Sequence, residues 1–139
     1  MDTTAQLLNV WCKDYEKPDW YQWAIVFGKE VIGSIAVVKF SEDDNSAEIS
    51  YCIGYDYWGK GIMTESAKAV IDFLFTETGV NRITICHALQ NPASGRVAQK
   101  CGLTFEGIHK KEFKARWGEY LDMAHYGIVR KDYEKIKNQ

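Results

Sequence analysis

Apolar positions fall into blocks whose period changes along the chain. Leu7, Trp11 and Tyr15 recur at helical spacing behind Thr3 and Gln6, a capping-box pair. The spacing predicts a helix over about 3–15, which Lys17-Pro18-Asp19 ends because proline cannot continue the bonding pattern. Trp20 to Phe27 and Val31 to Phe40 are aromatic and β-branched, and read as two strands joined by a tight turn at Gly28-Lys29. Ser41 to Ser46 reads as a solvated polar loop. Ala47 to Ile53 alternates, with Ile49, Tyr51 and Ile53 on one face and Glu48, Ser50 and Cys52 on the other. These three strands predict an antiparallel meander.

The period then lengthens. Met63, Ala67, Val70 and Leu74 form one helical stripe over about 62–78, widened by Ile62, Ala69 and Phe73. A stripe that broad packs against a sheet, and Gly79 offers a left-handed stop. Arg82 to Ala88 predicts a strand with Ile83 and Ile85 inward. Asn91-Pro92 predicts a helix start, with Val97 and Cys101 inward and a stop at Gly102. Two strands follow, about 104–113 and 120–129, joined around Trp117-Gly118, and the charged tail reads as a short helix or frayed end. The order implies an α/β fold in a single domain over 1–139. Its sheet is mixed and mostly antiparallel, flanked by helices, with a central parallel strand–helix–strand crossover.

Composition narrows the function. The 139 residues suffice for one domain with a core, and the net charge of −2 implies no broad basic surface for nucleic acid. Neither a run long enough to cross a membrane nor a secretion signal is visible, which points to a cytoplasmic protein. Cys12, Cys52, Cys86 and Cys101 are far apart with no C-x-x-C pair, so they read as reduced thiols, and no metal is expected.

Chemistry concentrates at Tyr57-Trp58-Gly59-Lys60-Gly61-Ile62. Glycines let a backbone approach a ligand, and the helix that follows presents open N–H groups and a positive dipole end, together a site for a phosphate. Around this loop stand Gly33-Ser34-Ile35, Ala47-Glu48-Ile49-Ser50-Tyr51 and Met63-Thr64-Glu65-Ser66. Asn91, Ser94, Val97, Lys100-Cys101-Gly102-Leu103 and Gly118-Glu119-Tyr120-Leu121-Asp122 follow. In this order and spacing, from about Trp23 to Val129, the chain resembles the GNAT family of acyl-CoA-dependent N-acetyltransferases. It looks closest to the branch that acetylates N-terminal amines of ribosomal proteins. Three departures stand out. Asp56 occupies a loop position where the family often has Gln or Arg, the strand and helix that usually open the family are lacking, and Ser94 stands where many members have a tyrosine.

The resemblance implies transfer of an acetyl group from acetyl-CoA, the co-substrate, directly to a primary amine of a peptide N-terminus or a small molecule. Backbone N–H groups of Trp58, Gly59, Lys60, Gly61, Ile62 and Met63 would hold the pyrophosphate, with Gly59 and Gly61 intolerant of crowding and Lys60 supplying charge. Glu48 would take the amine's proton, or else serves as a structural strand glutamate. Ile53 marks the backbone that would donate to the oxyanion. Ser94 would assist the leaving thiolate, or is first-turn polarity, and Asn91 either touches the pantetheine arm or caps its helix. His87 reads as a core or rim histidine, and His109 and His125 have no partner by spacing. A homodimer is compatible with an open sheet edge. The alternative is a non-catalytic acyl-CoA-binding or regulatory module on the same fold.

Overall fold

The structure is a computed structural model describing residues 5–9, 22–54, 57 and 59–138, the first five by their backbone alone. Thr3, Trp11, Tyr15, Trp20, Asp56 and Trp58 lie outside the described residues. Seven strands form one sheet: β1 (Ala5–Asn9), β2 (Gln22–Phe27), β3 (Glu30–Ser41), β4 (Ser46–Ile53), β5 (Arg82–Ala88), β6 (Thr104–Lys114) and β7 (Tyr120–Val129). The order across the sheet is β1-β2-β3-β4-β5-β7-β6. Three helices accompany it, α1 (Ile62–Glu77), α2 (Pro92–Lys100) and α3 (Arg130–Lys137). All neighbours pair antiparallel except β4 and β5, the parallel pair that flanks α1 as the spacing predicts.

The first element is corrected. Residues Ala5–Asn9 pair antiparallel with β2 rather than forming a helix, so a strand precedes the meander after all. Leu7 and Leu8 serve a strand as well as a helix, and over so short a run pairing with β2 decides.

Trp23, Ile35, Val37, Ile49, Ile83 and Ile85 meet Ala67, Val70, Leu74 and Phe75 of α1 in one core cluster, which Ala98 of α2 and Tyr133 of α3 join. All three described helices therefore share one face of the sheet. Trp23 packs edge-on to Phe73. Helix α2 comes closest at Gly95, where an added Cβ would lie 2.7 Å from His87 Nε2 and 2.8 Å from the Tyr126 hydroxyl. Gly95 and Ala98 are the buried residues of α2, ahead of the half-buried Val97.

The end of α1 differs from expectation. Thr78, not a left-handed Gly79, closes the helix: its hydroxyl and its N–H both donate to Leu74 O, at 2.5 and 3.2 Å. The last turn of α1 carries no basic side chain of its own. Arg130 supplies one from α3, donating to the carbonyls of Phe75, Thr78 and Val80 at 2.8, 3.1 and 2.7 Å while lying over the Phe75 ring. Tyr133 stacks on Phe75 and donates to Asp72, so the charged tail is a docked helix.

Strands β3 and β4 approach closely at Gly33. A Cβ there would sit 2.3 Å from Cys52 O and 2.9 Å from Ile53 Cα. Both neighbours are backbone, so neither can swing aside. Gly33→Ala is expected to destabilise the fold by about 1–3 kcal/mol, the range for overpacking. A thermal melt measures it, and an unchanged midpoint would show that the strands separate freely.

Candidate active site

Strands β4 and β5 pair only from Ser46↔Arg82 to Ile49↔Ile85. Beyond that point β4 stays with β3 as far as Gly33↔Ile53, and β5 stays with β7 as far as Ala88↔Met123. Each strand follows its outer neighbour, and the sheet opens between them. The starts of α1 and α2 both face this opening.

A cleft of about 210 Å³ lies beside it, between the end of β4 and the starts of α1 and α2. Ile53, Gly59, Gly61, Ile62 and Met63 line one side, and Asn91 and Ser94 the other. Seven of the sequence-predicted site residues thus converge on one cavity. Gly61 is the N-cap of α1, with φ 78° and ψ 0°, and no side chain caps the first turn. The early N–H groups are therefore directed at the cleft without a side-chain acceptor. Gly59 has φ 75°. A Cβ at Gly59 or Gly61 would meet no protein atom within 4 Å among the described residues, so crowding by the protein itself is not what demands glycine here. The left-handed backbone demands it instead.

Lys60 is not among the residues that line the cleft. Its ammonium lies over the Tyr57 ring, 5.8 Å from the centroid. Arg96 and Lys100 line the cleft, one helical turn apart on α2 beside Ala93 and Val97. Sequence reasoning missed both, because charges on a short helix look solvated until its docking is known. The i, i+4 spacing of two cations on the helix that opens with Asn91-Pro92 was the available signal.

Asn91 occupies the N-cap position of α2, yet its side chain makes no capping bond. The amide donates to Ser94 Oγ at 3.1 Å. Ser94 also accepts, through its carbonyl, the Tyr51 hydroxyl at 2.9 Å. Burial, then the nearby Cys101 and Tyr126, push the Tyr51 phenol well above its ordinary range, so Tyr51 stays a donor.

Glu48 stands apart from this cleft. It lies on the opposite face of the sheet and lines a depression of about 440 Å³ with Lys39, Arg82 and Thr84. Its Oε1 is 4.0 Å from Lys39 Nζ and accepts from Cys86 Sγ at 3.6 Å. Desolvation, with the Glu48 charge second, pushes the Cys86 thiol up to about 12. It is therefore a neutral donor and no nucleophile. Beyond it the contacts continue: Cys86 Sγ lies 3.1 Å from His125 Nδ1, and His125 Nε2 lies 2.6 Å from Glu112 Oε1. Desolvation opposes ionisation of Glu112, but hydrogen bonds to His125 and then His109 outweigh it and hold the carboxyl below its ordinary range.

His87 is buried on the helix face and stacked on Tyr126, with Nδ1 2.7 Å from Ala88 O and Nε2 buried without a hydrogen-bond partner among the described residues. Asp122 accepts the Lys111 N–H at 2.9 Å, a structural role within the hairpin. Trp117 is exposed and donates to Glu119.

Residues 1–104 match the family described as acetyltransferase (GNAT) domain. YdaF of Bacillus subtilis (strain 168), provisionally named a ribosomal N-acetyltransferase, is 28% identical over 132 residues, covering 91% of this chain and 69% of that protein. The spermidine N(1)-acetyltransferase of Escherichia coli (strain K12) is 26% identical over 104 residues, covering 75% of this chain and 55% of that enzyme. A crystal structure described as a probable acetyltransferase superposes with a TM-score of 0.78 at 25% identity, covering 83% of this chain and 65% of that one. The chain thus spans from just over half to about two thirds of these proteins' own lengths. The sheet parting between β4 and β5, the glycine turn at the head of α1 and the match over residues 1–104 agree: the chain belongs to the GNAT family of acetyl-CoA-dependent N-acetyltransferases.

Proposed function

We propose that this chain transfers an acetyl group from acetyl-CoA directly to a primary amine, with the coenzyme in the cleft between β4 and β5. The observation that carries this is the convergence of two helix starts and a left-handed glycine turn on one opening in the sheet. The backbone N–H groups of Gly59 to Met63 bind the pyrophosphate, each charge-assisted bond contributing about 1.5–3 kcal/mol. Trp58 belongs to the same loop by sequence. Arg96 and Lys100 neutralise phosphate charge from the α2 side. Asn91, Ser94 and Ile53 flank the pantetheine arm as it runs toward the gap.

The two faces of the sheet then divide the reaction. The thioester reaches the opening from the helix face, and the amine approaches from the face that bears Glu48. Glu48, directly or through water, takes the proton that the ammonium must lose. The amine nitrogen bonds to the thioester carbon, the C–S bond of the collapsing intermediate breaks, and the departing thiolate gains a proton. Ser94, which lines the cleft, would donate to that sulfur.

Acceptor identity draws on the relatives, one named for ribosomal N-acetylation and one for spermidine. Both acceptors are cationic amines at neutral pH, which suits an acidic rather than basic approach. We infer a peptide N-terminus or a polyamine-like amine as the acceptor class, and a cytoplasmic setting in which acetyl-CoA is at hand.

Calorimetry with acetyl-CoA followed by thiol release over an amine panel tests the assignment, and binding without turnover on any amine would instead favour the regulatory module. Three variants sharpen it. Gly61→Val forces a β-branched residue into φ 78° and should weaken coenzyme A binding about ten- to hundredfold, the loss of one charged hydrogen bond. Equal affinity would remove the loop from the site. A double change, Arg96→Glu with Lys100→Glu, should weaken binding and flatten its dependence on salt; an unaltered salt slope would place the phosphates elsewhere. Glu48→Gln should lower kcat about a hundredfold or more at neutral pH. The deficit should shrink as rising pH deprotonates the amine in bulk solvent, and a deficit constant with pH would exclude Glu48 as the base.

A further inference from the structure

His109, Glu112 and His125 converge although nothing in their spacing brings them together. Strands β6 and β7 pair antiparallel, with Gly107↔His125 and His109↔Met123. The two histidines are thus diagonal neighbours on one face, and Gly107 puts no side chain opposite His125. Into that space the His109 ring lies over the His125 ring, with centroids 3.7 Å apart. The ladder then skips: His109↔Met123 is followed by Phe113↔Leu121, so β6 carries two extra residues. Lys111 takes φ 55° in this bulge, and its N–H donates to Asp122 Oδ1 at 2.9 Å. A non-glycine residue held left-handed at a bulge marks a built feature. Its product is Glu112, turned back so that Oε2 lies 2.7 Å from His109 Nδ1 and Oε1 lies 2.6 Å from His125 Nε2.

We propose that His109 Nδ1, Glu112 and His125 Nε2 bind one divalent transition-metal ion of the zinc class. The three ligand atoms lie within 4.8 Å of one another. Ligands around zinc stand about 3.3 Å apart at bond lengths of about 2.0–2.1 Å, so a small rotation of the carboxylate opens the site. Two imidazoles with one carboxylate select zinc-like ions over magnesium or calcium, which prefer oxygen donors.

A second observation comes from behind His125. Metal-bound imidazoles almost always use the other ring nitrogen on a hydrogen-bond partner. Here Nδ1 has Cys86 Sγ at 3.1 Å, and Cys86 in turn donates to Glu48 Oε1 at 3.6 Å. A thiol has one proton. With S–H given to Glu48, the sulfur is free to accept from Nδ1–H, the arrangement in which a metal-bound ring uses its Nε2 lone pair on the ion. The exposed side of the cluster gives the ion a path from solvent, since the His109 and Glu112 side chains are 55% and 40% accessible.

The proposal is independent of acyl transfer, and its test reads metal binding alone. Chelator-treated full-length chain is titrated with zinc chloride by calorimetry, and cobalt(II) substitution is followed by its visible ligand-field bands. A single saturable site with intense, low-symmetry cobalt bands is expected, and no comparable heat with magnesium or calcium chloride. His109→Ala and Glu112→Gln, both at exposed positions, should each weaken zinc by at least about tenfold, and Cys86→Ala by about 10–100-fold through the ring it orients. Melting curves without metal check that the variants fold. Absence of saturable zinc binding, equal binding of magnesium, or zinc affinity unchanged in both His109→Ala and Glu112→Gln would overturn the assignment.

Discussion

Two neighbouring strands that pair in parallel for four residue pairs and then separate govern everything at the cleft. The separation has a cause on each side. On β4 the contact with β3 is tightened at Gly33, where backbone meets backbone without room for a Cβ. On β5 all seven residues pair with β7. Each strand thus satisfies its ladder with the outer neighbour when the inner pairing is given up. Helix α1 bridges the two strands and is clamped at its far end by Arg130. Its start is consequently held over the opening that the strands leave. A helix start with open N–H groups is common; one held at the mouth of a gap in a sheet has a direction, into the gap.

Much of this was legible in the chain. The stripe Met63, Ala67, Val70, Leu74 fixed α1 because four apolar positions at helical spacing over three turns have no strand equivalent. Alternation in Arg82–Ala88 identified β5 and its inward face for the same reason. The glycine turn was legible as a turn, and both of its glycines take the left-handed backbone that glycine favours. What was hidden depends on long-range placement. Leu7 and Leu8 fit either period, and only β2 decides between them. Arg96 and Lys100 acquire a role only once α2 docks with Gly95 against His87. The meeting of His109, Glu112 and His125 depends on two extra residues in β6, and a bulge has no hydrophobic signature.

The two faces of the sheet carry different chemistry for a simple reason. Alternation sends Ile49, Ile83 and Ile85 into the helices' core and leaves Glu48 and Cys86 on the reverse. A base on the helix face would compete with apolar packing and with the coenzyme for the same space. A base on the reverse face meets the thioester only at the opening, where acceptor and donor can approach from opposite sides.

The partners of Glu48 fit that task. Lys39, 79% accessible and 4.0 Å away, screens the carboxylate weakly, because an exposed pair in high dielectric contributes little. Cys86 is held as a neutral thiol, a weak donor, at 3.6 Å. Neither contact resembles the bidentate arginine grip that Glu106 receives from Arg82, which lowers the Glu106 carboxyl below its ordinary range. A carboxylate bound as Glu106 is would give up two charge-assisted hydrogen bonds on accepting a proton. Glu48 has one long sulfur contact and a loose ion pair. Of these two carboxylates on the polar face, Glu48 is the one held only by long, single contacts.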